Sequence, residues 1–128
     1  MIEADIINAI SDELSLVIFK AIATADNSNS DLFKRQFRCT AKQYYMRISR
    51  MVKVGLIKKE KRKYFLTSLG KVVYEAECTI AIGSFYYWKL KAIDGILLHL
   101  HQKELSIEEY NKVIDHLIEN QKIKEILK

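Results

Sequence analysis

Between Thr40 and Tyr74 the apolar period changes twice, and few folds accommodate such a change in so short a run. Tyr44, Ile48, Met51 and Gly55 recur at i, i+4, i+7 and i+11, one stripe of a 3.6-residue helix over Thr40–Val54. Gly55 stands just past the last periodic residue, where a C′ glycine takes the left-handed conformation that ends a helix. Leu56-Ile57 and Tyr64-Phe65-Leu66 are short β-prone runs, and Lys58-Lys59-Glu60-Lys61-Arg62-Lys63 between them predicts a tight charged hairpin. With no Asn-Gly or Gly-Gly pair, its turn type stays open. Thr67 then takes the N-cap position of a helix carrying Leu69, Val72, Val73 and Ala76 on one side.

On a helical wheel, the face opposite Tyr44 and Ile48 carries Lys42, Gln43, Met46, Ser49, Arg50 and Lys53. That face has three cations, one amide and no carboxylate. The bias extends beyond the helix: Lys34 to Lys63 holds twelve Lys or Arg against one acid, Glu60. This segment is therefore +11, while the other residues, with nine cations and fifteen acids, sum to −6. A merely solvated surface mixes signs, so the segregation points to an anionic partner.

The chain has 128 residues, no proline and four glycines, so loops are few and most of it is expected to be helical. Met1 to Ile10 reads equally as a short helix or an extended arm. Ser11-Asp12-Glu13 is a helix start, followed by the stripe Leu14, Val17, Ile18, Ala21 and Ile22. Thr24 to Ser30 is a loop. A helix from Asp31 to about Phe37, anchored by Leu32, Phe33 and Phe37, then meets Thr40–Val54 across an Arg38-Cys39 turn, which makes a helix-turn-helix.

Past Thr67 the helix is expected to run to about Thr79, and Cys78–Leu100 to form one long helix, bent near Gly83. Its length suits a bilayer, but Lys89, Lys91 and Asp94 near its middle would each cost roughly 2.5–3.5 kcal/mol there. A membrane span is therefore not expected. Apolar residues cover more than half its circumference, too much for one small chain to bury, so a second copy is the expected cover. Ile82, Phe85, Trp88, Ile93 and Leu97 are the expected dimer contacts. Ser106 and Glu109 form a capping box for the last helix, with a possible interruption at Glu119-Asn120-Gln121.

No catalytic constellation is present: the chain lacks a phosphate-binding glycine loop, a dinucleotide fingerprint and an H-E-x-x-H motif. Cys39 and Cys78 stand alone, and His99, His101 and His116 do not share a helix face, so neither a metal nor a cofactor is expected. The first residues have no signal-peptide pattern, which fits reduced thiols and a cytoplasmic protein. No pattern identifies a small-molecule effector.

The helix ending Met51-Val52-Lys53-Val54-Gly55-Leu56-Ile57, the Lys/Arg hairpin and the closure Tyr64-Phe65-Leu66-Thr67-Ser68-Leu69-Gly70 resemble the winged helix-turn-helix of archaeal and bacterial ArsR/MarR-like regulators. The resemblance covers about residues 11–77. It implies a mainly α fold with a small β-hairpin wing, a DNA-binding domain over 1–77 and a helical dimerisation region over 78–128. It also implies a homodimeric transcriptional regulator that binds double-stranded DNA, with Thr40–Val54 in the major groove and the hairpin on adjacent backbone or minor groove. Lys42, Gln43, Met46 and Arg50 would then face the groove, with Thr40, Tyr45 and Ser49 near phosphates. Lys53 and the wing cations Lys59, Lys61, Arg62 and Lys63 would extend the contact. The competing expectation is a protein-interaction module of the same shape that does not bind DNA.

Overall fold

The computed structural model describes residues 2–24 and 37–128. These form seven helices and one two-stranded antiparallel hairpin, so the described chain is mainly helical. It divides into two compact units, Met1–Glu75 and Ala76–Lys128, with the boundary inside a helix.

The first unit begins with α1 (Glu3–Ala9), which settles the choice between helix and arm. Glu3 and Asp5 occupy its first turn, where carboxylates meet the positive end of the helix dipole. α2 (Glu13–Thr24) is capped by Asp12, whose carboxylate accepts the Ser15 N–H at 3.0 Å and the Ser15 hydroxyl at 2.6 Å. Of the stripe expected on α2, Val17 is instead 47% exposed, and the buried set is Ser15, Ile18, Phe19 and Ile22. Leu14, Ile18, Ala21 and Ile22 of the stripe do pack in or against the core, joined by Phe19, which meets Tyr74 edge-on at 6.3 Å. The helix expected over Asp31–Phe37 lies outside the described residues except for Phe37, which sits in a bend with Arg38 and Cys39.

α3 (Ala41–Lys53) buries Tyr44, Ile48 and Met51, the stripe read from the sequence. It ends in a Schellman motif: Leu56 N–H bonds Met51 O at 2.9 Å, Gly55 N–H bonds Val52 O at 3.0 Å, and Gly55 takes φ +85°. β1 (Ile57–Glu60) and β2 (Lys63–Leu66) pair antiparallel with Ile57 opposite Leu66 and Glu60 opposite Lys63. α1 packs on α3, α3 on β1, and α2 on β2. Their shared core includes Ile18, Phe19, Tyr44, Met51, Leu56 and Ile57, each fully or almost fully buried. Burying each such side chain contributes roughly 1.5–3 kcal/mol, so this core outweighs any single surface pair.

α4 (Ser68–Phe85) runs on past Thr79, and the helix breaks at Tyr86 rather than at Gly83. Tyr86 at the break is buried, and a Cβ on Gly83 would meet nothing within 4 Å. Of the α4 face expected to pack, Val73 contacts the first core, with Tyr74 beside it, whereas Val72 is 67% exposed.

In the second unit, α5 (Tyr87–His101) packs on α6 (Ile107–Leu117), and α6 on α7 (Gln121–Leu127). Their core holds Tyr86, Ile93, Tyr110, Ile114, Ile118 and Ile123. Ser106 caps α6 through the Glu109 N–H at 3.1 Å. Asn120 caps α7 through the Ile123 N–H at 3.1 Å, so the interruption before Gln121 is a true helix start. No helix among the described residues is long and apolar enough to cross a membrane.

Candidate nucleic-acid interface

Thr40 opens α3 with a reciprocal capping box. Its Oγ1 accepts the Gln43 N–H at 3.1 Å, and Gln43 Oε1 accepts the Thr40 N–H at 3.0 Å. The amide oxygen of Gln43 is thereby engaged at the helix end. A bidentate contact from Gln43 to an adenine edge, which needs both oxygen and nitrogen, would require breaking this cap.

A second anchor fixes the pose of α3. Arg47 donates through Nε to Asp12 Oδ2 at 2.8 Å and through Nη1 to Gln43 O at 3.0 Å. Burial pushes the Asp12 carboxyl up, but the Ser15 hydroxyl, the Arg47 guanidinium and the Ser15 N–H outweigh it and hold it well below the usual carboxylate range. Arg47 is thus the α3 cation that faces inward. Nothing in the sequence marked this clamp, because its partners are 35 positions apart. Behind it Tyr44 stacks on Phe37 at 5.9 Å, and its buried hydroxyl has no hydrogen-bond partner among the described residues. Burial pushes that hydroxyl's pKa upward.

With Arg47 turned in, Lys42, Met46, Ser49, Arg50 and Lys53 remain exposed on the outward side of α3, with Tyr45 and Val52 toward the hairpin. Tyr45, Ser49, Val52 and Lys53 join Lys59 and Tyr64 in lining a groove of about 410 Å³ between helix and hairpin. Lys59 Nζ stands 5.8 Å above the ring of Tyr64, its cross-strand neighbour. A second cleft of about 630 Å³ lies by the C-terminal end of α3, where Arg50 and Lys53 face Asp5, Asn8 and Ser11.

The hairpin tip resolves the turn type that the sequence left open. Lys61 (φ 49°) and Arg62 (φ 66°) are both left-handed, the sign pattern of a type I′ turn, which suits the twist of a two-residue hairpin. Asn-Gly is the favoured pair for this turn, and two cations stand there instead. The one acid of the basic segment, Glu60, pairs with Lys58 at 3.4 Å.

The five expected dimer contacts do not form one surface. Phe85 and Trp88 are 83% and 78% exposed, while Ile82 and Leu97 are partly buried against the second core. Ile93 is only 2% exposed and belongs to that core, so it is corrected from dimer contact to intrachain packing. α6 and α7 supply cover for Ile93 that could not be seen in the periodicity of α5 alone. Among the described residues no group of three or more His, Cys, Asp or Glu is placed to hold a metal ion. Comparison with protein-family models, curated proteins and solved structures finds no match to this chain.

Proposed function

We propose that the first unit is a winged helix-turn-helix domain that binds double-stranded DNA with sequence preference, and that the chain acts as a homodimeric transcriptional regulator. The observation that carries this reading is the outward side of α3, which offers Lys42, Arg50 and Lys53 and no carboxylate. A helix fits the major groove, and unpaired cations on its free side meet phosphates and guanine edges. The hairpin supports the same reading. Its tip places Lys61 and Arg62 where the backbone favours other residues, a cost that an electrostatic role explains.

The second reading, an interaction module without DNA binding, is favoured by Phe85 and Trp88, whose exposure suits a protein partner. Retardation of a random duplex in a native gel, repeated across salt concentrations, separates the two. The DNA reading expects retardation at 50 mM salt and a log K against log salt slope of about −0.9 per neutralised phosphate. If Lys53, Lys59, Lys61, Arg62 and Lys63 each meet one phosphate, the slope approaches about −4.5 per chain, by the same coefficient. No retardation, or none that depends on salt, transfers the function to the interaction module.

A further inference from the structure

On the outward side of α3, Met46 is 48% exposed and stands one turn from both Lys42 and Arg50. An exposed methionine at the middle of a cationic face adds nothing to charge and nothing to the core. Its neighbours narrow what the helix can read. Gln43 has its oxygen in the capping box, Arg47 is held by Asp12, and the face has no carboxylate to accept from cytosine N4. The groups left free are three cations, of which Lys42 and Arg50 flank Met46, the small hydroxyl of Ser49, and one flexible apolar side chain. In the major groove the apolar feature that distinguishes a base pair is the thymine C5-methyl.

We propose that Met46 is a specificity-determining residue that packs on a thymine methyl in the major groove, between bases met by Lys42 and Arg50. This rests on the DNA-binding reading above and gives it a chemical target. At about 1.5 Å rise per residue, Met46 lies about 6 Å along α3 from Lys42 and from Arg50. With one base pair per roughly 3.4 Å of duplex, and a helix that follows the groove obliquely, the thymine falls within about two steps of each of the positions those cations face.

The test uses the full chain and single-atom changes in DNA. Duplexes selected from a random pool are remade with each thymine in turn replaced by deoxyuridine, which removes only the methyl. One thymine per half-site is expected to weaken binding about fourfold when demethylated, the weight of one buried methyl group. That penalty is expected to vanish in Met46→Gln and to persist in Met46→Leu, whose apolar side chain can still cover the methyl. Because Met46 is exposed, neither substitution threatens the core. Binding without any deoxyuridine penalty overturns the proposal and leaves the DNA-binding reading standing. A penalty unchanged in Met46→Gln assigns the methyl to another residue and also overturns it. Failure to bind any duplex removes both readings together.

Discussion

Lys61 and Arg62 show at the residue scale how a local preference is overridden. A left-handed conformation costs a side-chain-bearing residue roughly 1–2 kcal/mol, and the tip contains two. Replacing the pair with Asn-Gly is expected to raise stability by about 1–2 kcal/mol in urea unfolding, because that pair adopts the turn readily. The same variant loses two cations, so its DNA salt slope is expected to flatten by roughly 1.8. A gain in stability with an unchanged slope would remove the tip from the interface. Asp12 yields a prediction in pH. Its folded carboxyl lies below the unfolded value of 3.8, so the stability it contributes is present above about pH 4 and is lost as pH falls further. Asp12→Asn keeps a capping side chain but removes the charge that Arg47 meets. With the Asp12 side chain more than a third exposed, water screens the pair, and a loss of about 1 kcal/mol is expected at neutral pH. The gap between the two proteins should narrow below about pH 4; a gap constant down to pH 2 would refute the assignment.

The junction between hairpin and α4 concentrates several requirements at the element scale. Thr67 caps α4 by accepting the Gly70 N–H at 3.0 Å, and its hydroxyl also reaches the Gly55 and Leu56 carbonyls. One side chain therefore ties the end of α3, the exit of β2 and the start of α4 together. The helix passes so close that a Cβ on Gly70 would lie 2.0 Å from Leu56 O, a backbone atom that cannot swing aside. Gly70→Ala is expected to lower stability by about 1–3 kcal/mol, measured by thermal or urea unfolding. Gly83 sits in the same helix with open space around its missing Cβ. Gly83→Ala should therefore act in the opposite direction, adding about 0.5–1 kcal/mol through helix propensity. Equal effects at the two sites would mean that the close approach at Gly70 is absent in solution.

For the whole molecule, the prediction concerns association. Ile80, Phe85 and Trp88 are 71%, 83% and 78% exposed, and a two-fold partner is the cover proposed for them. Light scattering of the unmutated protein at tens of micromolar is expected to give twice the chain mass. Phe85→Glu with Trp88→Glu is expected to give folded monomers with weakened DNA binding, since one half-site alone holds poorly at physiological salt. Ile93→Glu provides the contrast: it places a charge in the second core and is expected to unfold that unit rather than divide a dimer. A single-chain mass for the unmutated protein would overturn the dimer and leave Phe85 and Trp88 to another partner.

Local physical chemistry along the chain determined much of this protein. The α3 stripe, its Gly55 stop, the two short strands and the caps at Thr67, Ser106 and Asn120 all depend on residues within a few positions of one another. The uneven charge of the basic segment is likewise a property of composition along the chain. Tertiary structure alone decided which of several chemically equal residues face inward. Periodicity put Arg50 on the outward face of α3 and left Arg47 off it, but only the fold brings Asp12, distant in sequence, to hold Arg47. Periodicity could not separate Ile93 on α5 from Phe85 at the end of α4, because burial depends on whether α6 lies opposite, which neither helix encodes by itself. The hairpin turn follows the same logic. Lys61 and Arg62 have no intrinsic preference for left-handed backbone, and pairing of Glu60 with Lys63 across a two-residue loop imposes it.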